Sequence, residues 1–311
     1  MIEISIVVPV YNESENIKPF IERTCKVLDN INKDYEIIFC LDPSSDNTEN
    51  VILEEISRNK KIKLMVFSRK FGQPISTIAG IENTNGKYCV VIDVDLQDPP
   101  ELIEDMYKKI TDENLDVVYA VRKSREGETF IKKMISKFAY KIINYFSDIN
   151  IPVDTGDFRI FSNKIVNELK KFNEKEAFLR GLVAYVGFKH DKILFNRKER
   201  SHGKSKYNKF TGSFKIGING IVGFSSKPLF LMAVLGFTIS FLSFILGFWY
   251  FLQKIIGINL TPGLTTTVIL ISFYSGLQLF GMGMLGEYIG RIYDEVKKRP
   301  RYIIDKKINL D

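Results

Sequence analysis

A chain of 311 residues, 45% hydrophobic and 26% charged, is too long for one minimal domain, too apolar to be wholly disordered and too charged to be a polytopic transporter. Its 44 Lys and Arg exceed its 37 Asp and Glu, giving +7, which suits nucleic acid, a membrane surface or an anionic substrate until the excess is located. Cysteines at 25, 40 and 89 without a CxxC pair, and only two histidines, exclude a disulfide framework and a zinc site; they fit a reduced compartment and leave carboxylates for any metal. Apolar residues begin a strand within the first few positions, so no export signal is expected there. Val/Ile-rich runs at 4–10, 35–41, 62–67, 88–94 and 116–121 predict strands, and the spacing of residues 17, 20, 21, 24, 28 and 31 predicts a helix after the first. Near-continuous apolar strands with helical crossovers imply an α/β fold with a parallel sheet covered on both faces.

Residues 129–146 follow, with Ile131, Met134, Ile135, Phe138, Ile142 and Tyr145 at helical spacing beside Lys132, Lys133, Lys137 and Lys141. That is the pattern of a helix lying in a membrane interface, or of a globular helix with a solvated basic face. Residues 207–224 repeat it more weakly through Phe210, Phe214, Ile218 and Ile221. Residues 229–252 and 255–286 then carry no charge, broken only by Thr261-Pro262-Gly263 in the second run. Each exceeds the ~20 apolar residues that span a bilayer, so the pair predicts a two-helix transmembrane hairpin, with Trp249, Tyr250 and Phe251 at an interface.

The flanks of those spans hold the basic excess. Lys189–Lys227 contains ten basic residues against two acids, a balance of +8, and Arg291–Asp311 contains seven against four, a balance of +3. Residues 1–188 are left at −4. Basic flanks on both sides of the hairpin place both in the cytoplasm and point to anionic headgroups or a lipid phosphate, with no nucleic-acid partner. Four units are expected: 1–125 as the α/β core, 126–227 with the interfacial helices, 228–290 as the transmembrane pair, and 291–311 as a cytoplasmic basic tail.

Ligands of such sheets bind beyond the carboxyl ends of the strands, where unusual polar clusters should gather. They gather at Pro9-Val10-Tyr11-Asn12-Glu13, at Asp42 to Thr48 and at Asp93 to Glu101. Asp93 and Asp95 share one face of an extended segment, and two such carboxylates without a histidine or thiolate suit a hard cation, Mg²⁺ or Mn²⁺, shared with a substrate diphosphate. Asp98, before Pro99 and Pro100, is expected to cap the following helix. Asp46 and Asn47 are open to the same capping role for theirs.

VPVYNE (8–13), SRKFGQ (68–73), DVDLQDPPE (93–101), DTGDFR (154–159), HGKSKY (202–207) and the two-span tail together resemble the family 2 glycosyltransferases of the GT-A fold. The resemblance covers essentially the whole chain and is to the polyisoprenyl-phosphate group, which contains bactoprenol glucosyltransferases and dolichol-phosphate mannose synthase. It implies a Rossmann-like GT-A domain in which Pro9, Tyr11, Glu13, Asp42, Gln73 and Asp93 line the nucleotide pocket and Asp93 and Asp95 hold the metal. Asp157 matches the carboxylate taken as catalytic in that group. The second loop usually reads Asp-Asp-Gly-Ser and here reads Leu41-Asp42-Pro43-Ser44, so base or ribose contacts are expected to differ.

The implied reaction moves a hexose, glucose favoured, from a nucleotide sugar such as UDP-glucose to undecaprenyl (polyprenyl) phosphate on the cytoplasmic leaflet of the inner membrane. The attacking monoester has a second pKa near ~6 and needs no strong base, so Asp157 would orient it, take a residual proton, or simply pair with Arg159. Arg122, Lys123, Arg125, Arg200, Lys204 and Lys206, with Ser205, would hold the acceptor phosphate or draw headgroups to the surface. Mannose, an amino sugar or aminoarabinose are alternative donors, and a non-catalytic sugar-nucleotide or lipid-binding protein is the alternative activity class. A processive synthase is disfavoured, because its usual QxxRW motif is absent and the one tryptophan, Trp249, lies in a span. The resemblance also allows a homo-oligomer, a tetramer.

Overall fold

The computed structural model describes residues 2–122, 155–175, 178–196, 222–223, 225–256 and 263–310. Four strands, β1 (Ile4–Val10), β2 (Tyr35–Leu41), β3 (Ile62–Phe67) and β4 (Tyr88–Val91), pair in parallel. The period-two rule divides their side chains between two cores. Ile4, Ile6, Val8 and Val10 face α1 (Ser14–Ile31), α2 (Thr48–Arg58) and α4 (Leu102–Asp112), through Ile17, Phe20, Ile52, Ile103 and Met106. Val7, Ile38, Cys40 and Met65 face α3 (Gln73–Glu82), α5 (Asn163–Leu169) and α6 (Leu179–Val186), through Ile78, Ala79, Ile165 and Leu182. Burial on both faces explains why these strands read as unbroken apolar runs.

The sheet is mixed where an all-parallel one was expected. β5 (Val117–Arg122) does not pair with β4; β6 (Thr155–Ser162) runs antiparallel between them, and β7 (His190–Phe195) joins the outer side of β5. At the other edge β8 (Ile304–Ile308) runs antiparallel to β3, which completes the order β7-β5-β6-β4-β1-β2-β3-β8. One sheet therefore draws strands from beyond residue 125, and the segment expected as a cytoplasmic basic tail supplies its last strand. The expected fourth strand, 88–94, ends at Val91, because the chain turns away to fold a loop through Leu96, whose φ is +58°. That early end also lets Pro9 sit inside β1: its missing N–H faces the side that β4 has already left.

Two long helices, α7 (Lys227–Ile255) and α8 (Leu264–Val296), lie between β7 and β8. Over Lys227–Gln253 and Ile269–Val296 their mean hydropathies are 2.5 and 1.4, and neither stretch is buried within the protein. Each is long and apolar enough to cross a membrane, since 29 residues of helix extend ~44 Å against a hydrocarbon core of ~30 Å. The pair meets where Gly281 leaves room for Met232, where Ser243 Oγ lies 3.2 Å from Tyr274 Oη, and where the Tyr288 hydroxyl donates to the Ser225 carbonyl at 2.8 Å. The helices expected at 129–146 and through most of 207–224 lie outside the described residues.

Candidate active site

The carboxyl ends of β1 to β4 open on one edge of the sheet, and their loops are tied together by short polar bonds. Asn12 adopts a left-handed backbone (φ +52°), which asparagine tolerates, and its amide oxygen accepts the Ser45 N–H at 2.7 Å. Ser44 Oγ accepts the Asn12 N–H at 2.9 Å and donates to the Asp42 carbonyl at 3.0 Å. Asn47 holds the cap position of α2 without a side-chain cap bond, and Asp46, one residue earlier, does the tying: its carboxylate accepts the Thr48 N–H and hydroxyl at the start of α2 and the Ser14 N–H at the start of α1, so one side chain pins two helix ends. Burial alone would raise its pKa, but these hydrogen bonds from Thr48 and Ser14 hold it below the usual carboxylate range.

Asp42 is almost fully buried, and its two carboxylate oxygens accept the backbone N–H groups of Phe71 and Gly72 at 3.0 and 2.8 Å. Those residues belong to the SRKFGQ loop, where Gly72 takes φ +91° and Lys70 lies 3.5 Å over the ring of Tyr11. Asp42 thus organises that loop. The loop ends at Gln73, whose amide donates to Asp93 Oδ1 at 2.8 Å, while Asp95 folds its own turn by accepting the Gln97 N–H at 3.1 Å. Glu13 accepts from Asn16 Nδ2 at 2.6 Å. Pro9, Tyr11, Glu13, Asp42, Gln73, Asp93 and Asp95 are all set along this one edge.

Asp98 corrects an expectation. The helix after the two prolines starts at Leu102 with Glu101 at its cap position and no side-chain cap bond, so Asp98 lies too early to cap it. It is buried instead, 3.6 Å from the guanidinium of Arg122 at the end of β5. Arg122 passes so close to Gly156 that a β-carbon there would lie 3.2 Å from its Nη2, which is a reason for glycine in DTGDFR.

Asp157 follows, on β6. The antiparallel register pairs Val91 with Arg159, so the start of β6 lies beside the end of β4 from which Asp93 and Asp95 continue. Arg180 on α6 donates Nε–H to Asp157 Oδ1 at 2.9 Å, and Arg159 lies 3.5 Å from the same oxygen. Arg159 is fully buried, donates to the Gly156 and Asp157 carbonyls and stands 5.4 Å from the ring centre of Tyr119. Desolvation pushes the Asp157 carboxyl up, but Arg180 first, then Arg159 and Arg122, hold it below the usual range. Of the expected acceptor-phosphate residues, Arg122 lies among the described ones, at the end of β5 beside Asp98; Arg125, Arg200, Lys204, Ser205 and Lys206 lie outside the described residues, as does Lys123.

Residues 5–170 match the family described as Glycosyl transferase family 2, more than half of the chain. The chain is a family 2 glycosyltransferase. Its sheet, with β6 inserted antiparallel and the polar loops along one edge, is the GT-A fold. The glycosyltransferase is 41% identical over 310 residues to glycosyltransferase YkcC of Bacillus subtilis (strain 168), covering 100% of this chain and 95% of the relative. It is 35% identical over 305 residues to the prophage bactoprenol glucosyl transferase homolog of Escherichia coli (strain K12), covering 98% and 99%. Among solved structures, glucosyl-3-phosphoglycerate synthase from Mycobacterium tuberculosis aligns with a TM-score of 0.48 at 16% identity, covering 71% of this chain and 79% of that one.

Two residues of this glycosyltransferase escaped sequence reasoning. Arg180 is the single charge of LRGLVAYV, and an isolated arginine on an apolar helix was the signal that could have marked it. Lys70 lies within a motif, but only the fold sets it over Tyr11.

Proposed function

We propose that this glycosyltransferase transfers a hexose, with glucose favoured, from a nucleotide sugar such as UDP-glucose to undecaprenyl phosphate or another polyprenyl phosphate at the cytoplasmic membrane face, inverting the anomeric carbon. The observation that carries this reading is the antiparallel placement of β6 beside β4. It brings Asp157, with Arg122, Arg159 and Arg180 around it, to the edge where Asp93 and Asp95 lie. A donor diphosphate and an acceptor phosphate both need to be met at one such edge. The names of the bactoprenol glucosyl transferase relatives and the two apolar helices support a lipid-borne acceptor. Strand β8 supports the topology, because it returns the chain beyond α8 to the catalytic sheet and so keeps both flanks of the hairpin on one side. Basic flanks make that side the cytoplasm.

The acceptor phosphate oxygen attacks the anomeric carbon, the bond to the nucleoside diphosphate breaks, and the diphosphate leaves. A monoester with a second pKa near ~6 is largely dianionic at neutral pH, so it attacks without a strong base. Asp157, held ionised by its arginines, is a poor proton acceptor; it fixes Arg180 and Arg159 in place and orients the attacking group. Arg122 faces that phosphate, with Arg125, Arg200, Lys204, Ser205 and Lys206 as its further ligands. Tyr11, Glu13, Asp42 and Gln73 shape the donor pocket, Asp42 through the loop that it ties down.

Asp93 and Asp95 fit a hard dication as oxygen donors. Among the described residues no group of three His, Cys, Asp or Glu forms an all-protein cage, which suits an ion shared with a diphosphate. When bound, Mg²⁺ or Mn²⁺ neutralises the leaving diphosphate. Incubation of the purified protein with radiolabelled UDP-glucose, Mg²⁺ and undecaprenyl phosphate should yield a labelled, organic-soluble lipid that chelation abolishes. No labelled lipid with UDP-glucose, a mannose donor, an amino-sugar donor or an aminoarabinose donor would overturn the proposal.

A further inference from the structure

The segment after α8 makes contacts that an edge strand alone does not require. Arg301 and Tyr302 both engage Glu82, the last residue of α3: the Tyr302 hydroxyl donates to Oε2 at 2.6 Å and the Arg301 guanidinium pairs with Oε1. Burial, then the Glu82 carboxylate, raises the pKa of the Tyr302 phenol, so it remains a donor. The next residue, Ile303, accepts the Ser68 N–H at 3.0 Å, in the loop that precedes α3. The ring of Tyr302 meets Phe67 edge to face at 5.9 Å, and Phe67 meets Phe71 the same way at 6.0 Å. Phe71 and Gly72 are the residues whose N–H groups bind Asp42, and Gln73, the first residue of α3, binds Asp93.

The chain leaving the second long helix therefore grips α3 at its far end and the preceding loop at its near end. Between the grips stand the groups that bind Asp42 and Asp93. A strand that merely covered the edge of β3 would need the backbone ladder of 304–308 and none of these side chains. We propose that residues 301–303 are a positioning element for the donor loop: they hold Phe71, Gly72 and Gln73 in the arrangement fixed by their bonds to Asp42 and Asp93, so the membrane anchor tunes affinity for a nucleoside diphosphate. The donor end of this inference rests on the proposed function, whereas the mechanical link to the loop does not.

The test uses full-length protein in detergent, as Tyr302→Ala, Tyr302→Leu and Tyr302→Phe, with Lys306→Ala as control because the Lys306 side chain is exposed and pairs at the surface with Glu49, 3.2 Å away. Backbone hydrogen exchange across residues 69–73 and the dissociation constant for Mg²⁺·UDP are measured. Protection of the loop should fall about 10-fold in Tyr302→Ala and the dissociation constant rise about 10-fold, while Tyr302→Phe, which keeps the ring contact, stays within about 3-fold of wild type. In turnover the loss should appear in the donor KM, leaving kcat and the acceptor KM near wild type. Tyr302→Leu fills most of the space and decides the matter if Tyr302→Ala does not fold. Wild-type protection in both Tyr302→Ala and Tyr302→Leu, or an equal loss in Lys306→Ala, would overturn the proposal. If wild-type protein binds no Mg²⁺·UDP, the exchange data still decide the coupling, and the donor reading alone has failed.

Discussion

Asp157 has Arg180, Arg159 and Arg122 around it, and that company decides its charge. Replacing it with Asn leaves the fully buried Arg159 without its carboxylate, so Asp157→Asn should lower stability by about 3 kcal/mol, read by chemical denaturation. Arg180→Gln removes a charge-assisted bond at 2.9 Å and should reduce kcat/KM by at least ~10-fold in the lipid-transfer assay. Acid stability follows from the same lowered carboxyl and from Asp46. Folded pKa values below the ordinary ~3.9 stabilise fully above that value, and the stabilisation is lost as pH falls through the folded ones. Melting temperature should thus drop below pH ~4, and the drop should shrink in Arg180→Gln. Turnover has a different signature: its acid limb should fall near pH ~6, where the acceptor phosphate gains a proton. At this scale Asp93, Asp95 and Asp157 were legible as carboxylates in distinctive strings, whereas the capping expectation for Asp98 was not met, because its partner Arg122 arrives through tertiary structure.

The elements show why some boundaries are readable and others are not. Strands β1, β2 and β3 begin and end where their apolar runs do, since both faces of each are buried. Strand β4 stops three residues early, although Ile92 and Val94 are as buried as the strand itself; burial there comes from the loop's own packing. Helix α3 lies directly on the sheet at Gly80, where a β-carbon would overlap Val7 Cγ1 and come within 2.7 Å of Cys40 Sγ. Gly80→Ala should therefore cost about 2 kcal/mol by overpacking, and it should displace α3 and with it Gln73. Thermal unfolding checks the first effect, and a raised donor KM checks the second.

At the scale of the whole molecule the charge has two addresses. The first 188 residues are net acidic, and the basic excess flanks the two long helices. Strand β8 then imposes a topological condition: the end of α8 lies on the same side as the catalytic sheet. In a Cys25→Ser background, with Cys40 and Cys89 buried, a cysteine introduced at Gly263 should react with an impermeant maleimide in intact cells. One at Lys298 should react only after permeabilisation. Labelling of both positions from outside would contradict a two-span hairpin with cytoplasmic flanks.

Local signals were sufficient for much of this protein. Apolar runs set the strands, uncharged stretches set the two long helices, and polar clusters after the strands marked the candidate site, because each depends on neighbours in sequence and on burial. Only the tertiary structure decided that β6 enters antiparallel between β4 and β5, that Arg180 reaches Asp157, and that the basic tail becomes the last strand of the sheet. Buried strands read alike whichever way their neighbours run, and a side chain's partner across 23 or 220 residues depends on register and packing that no local pattern encodes.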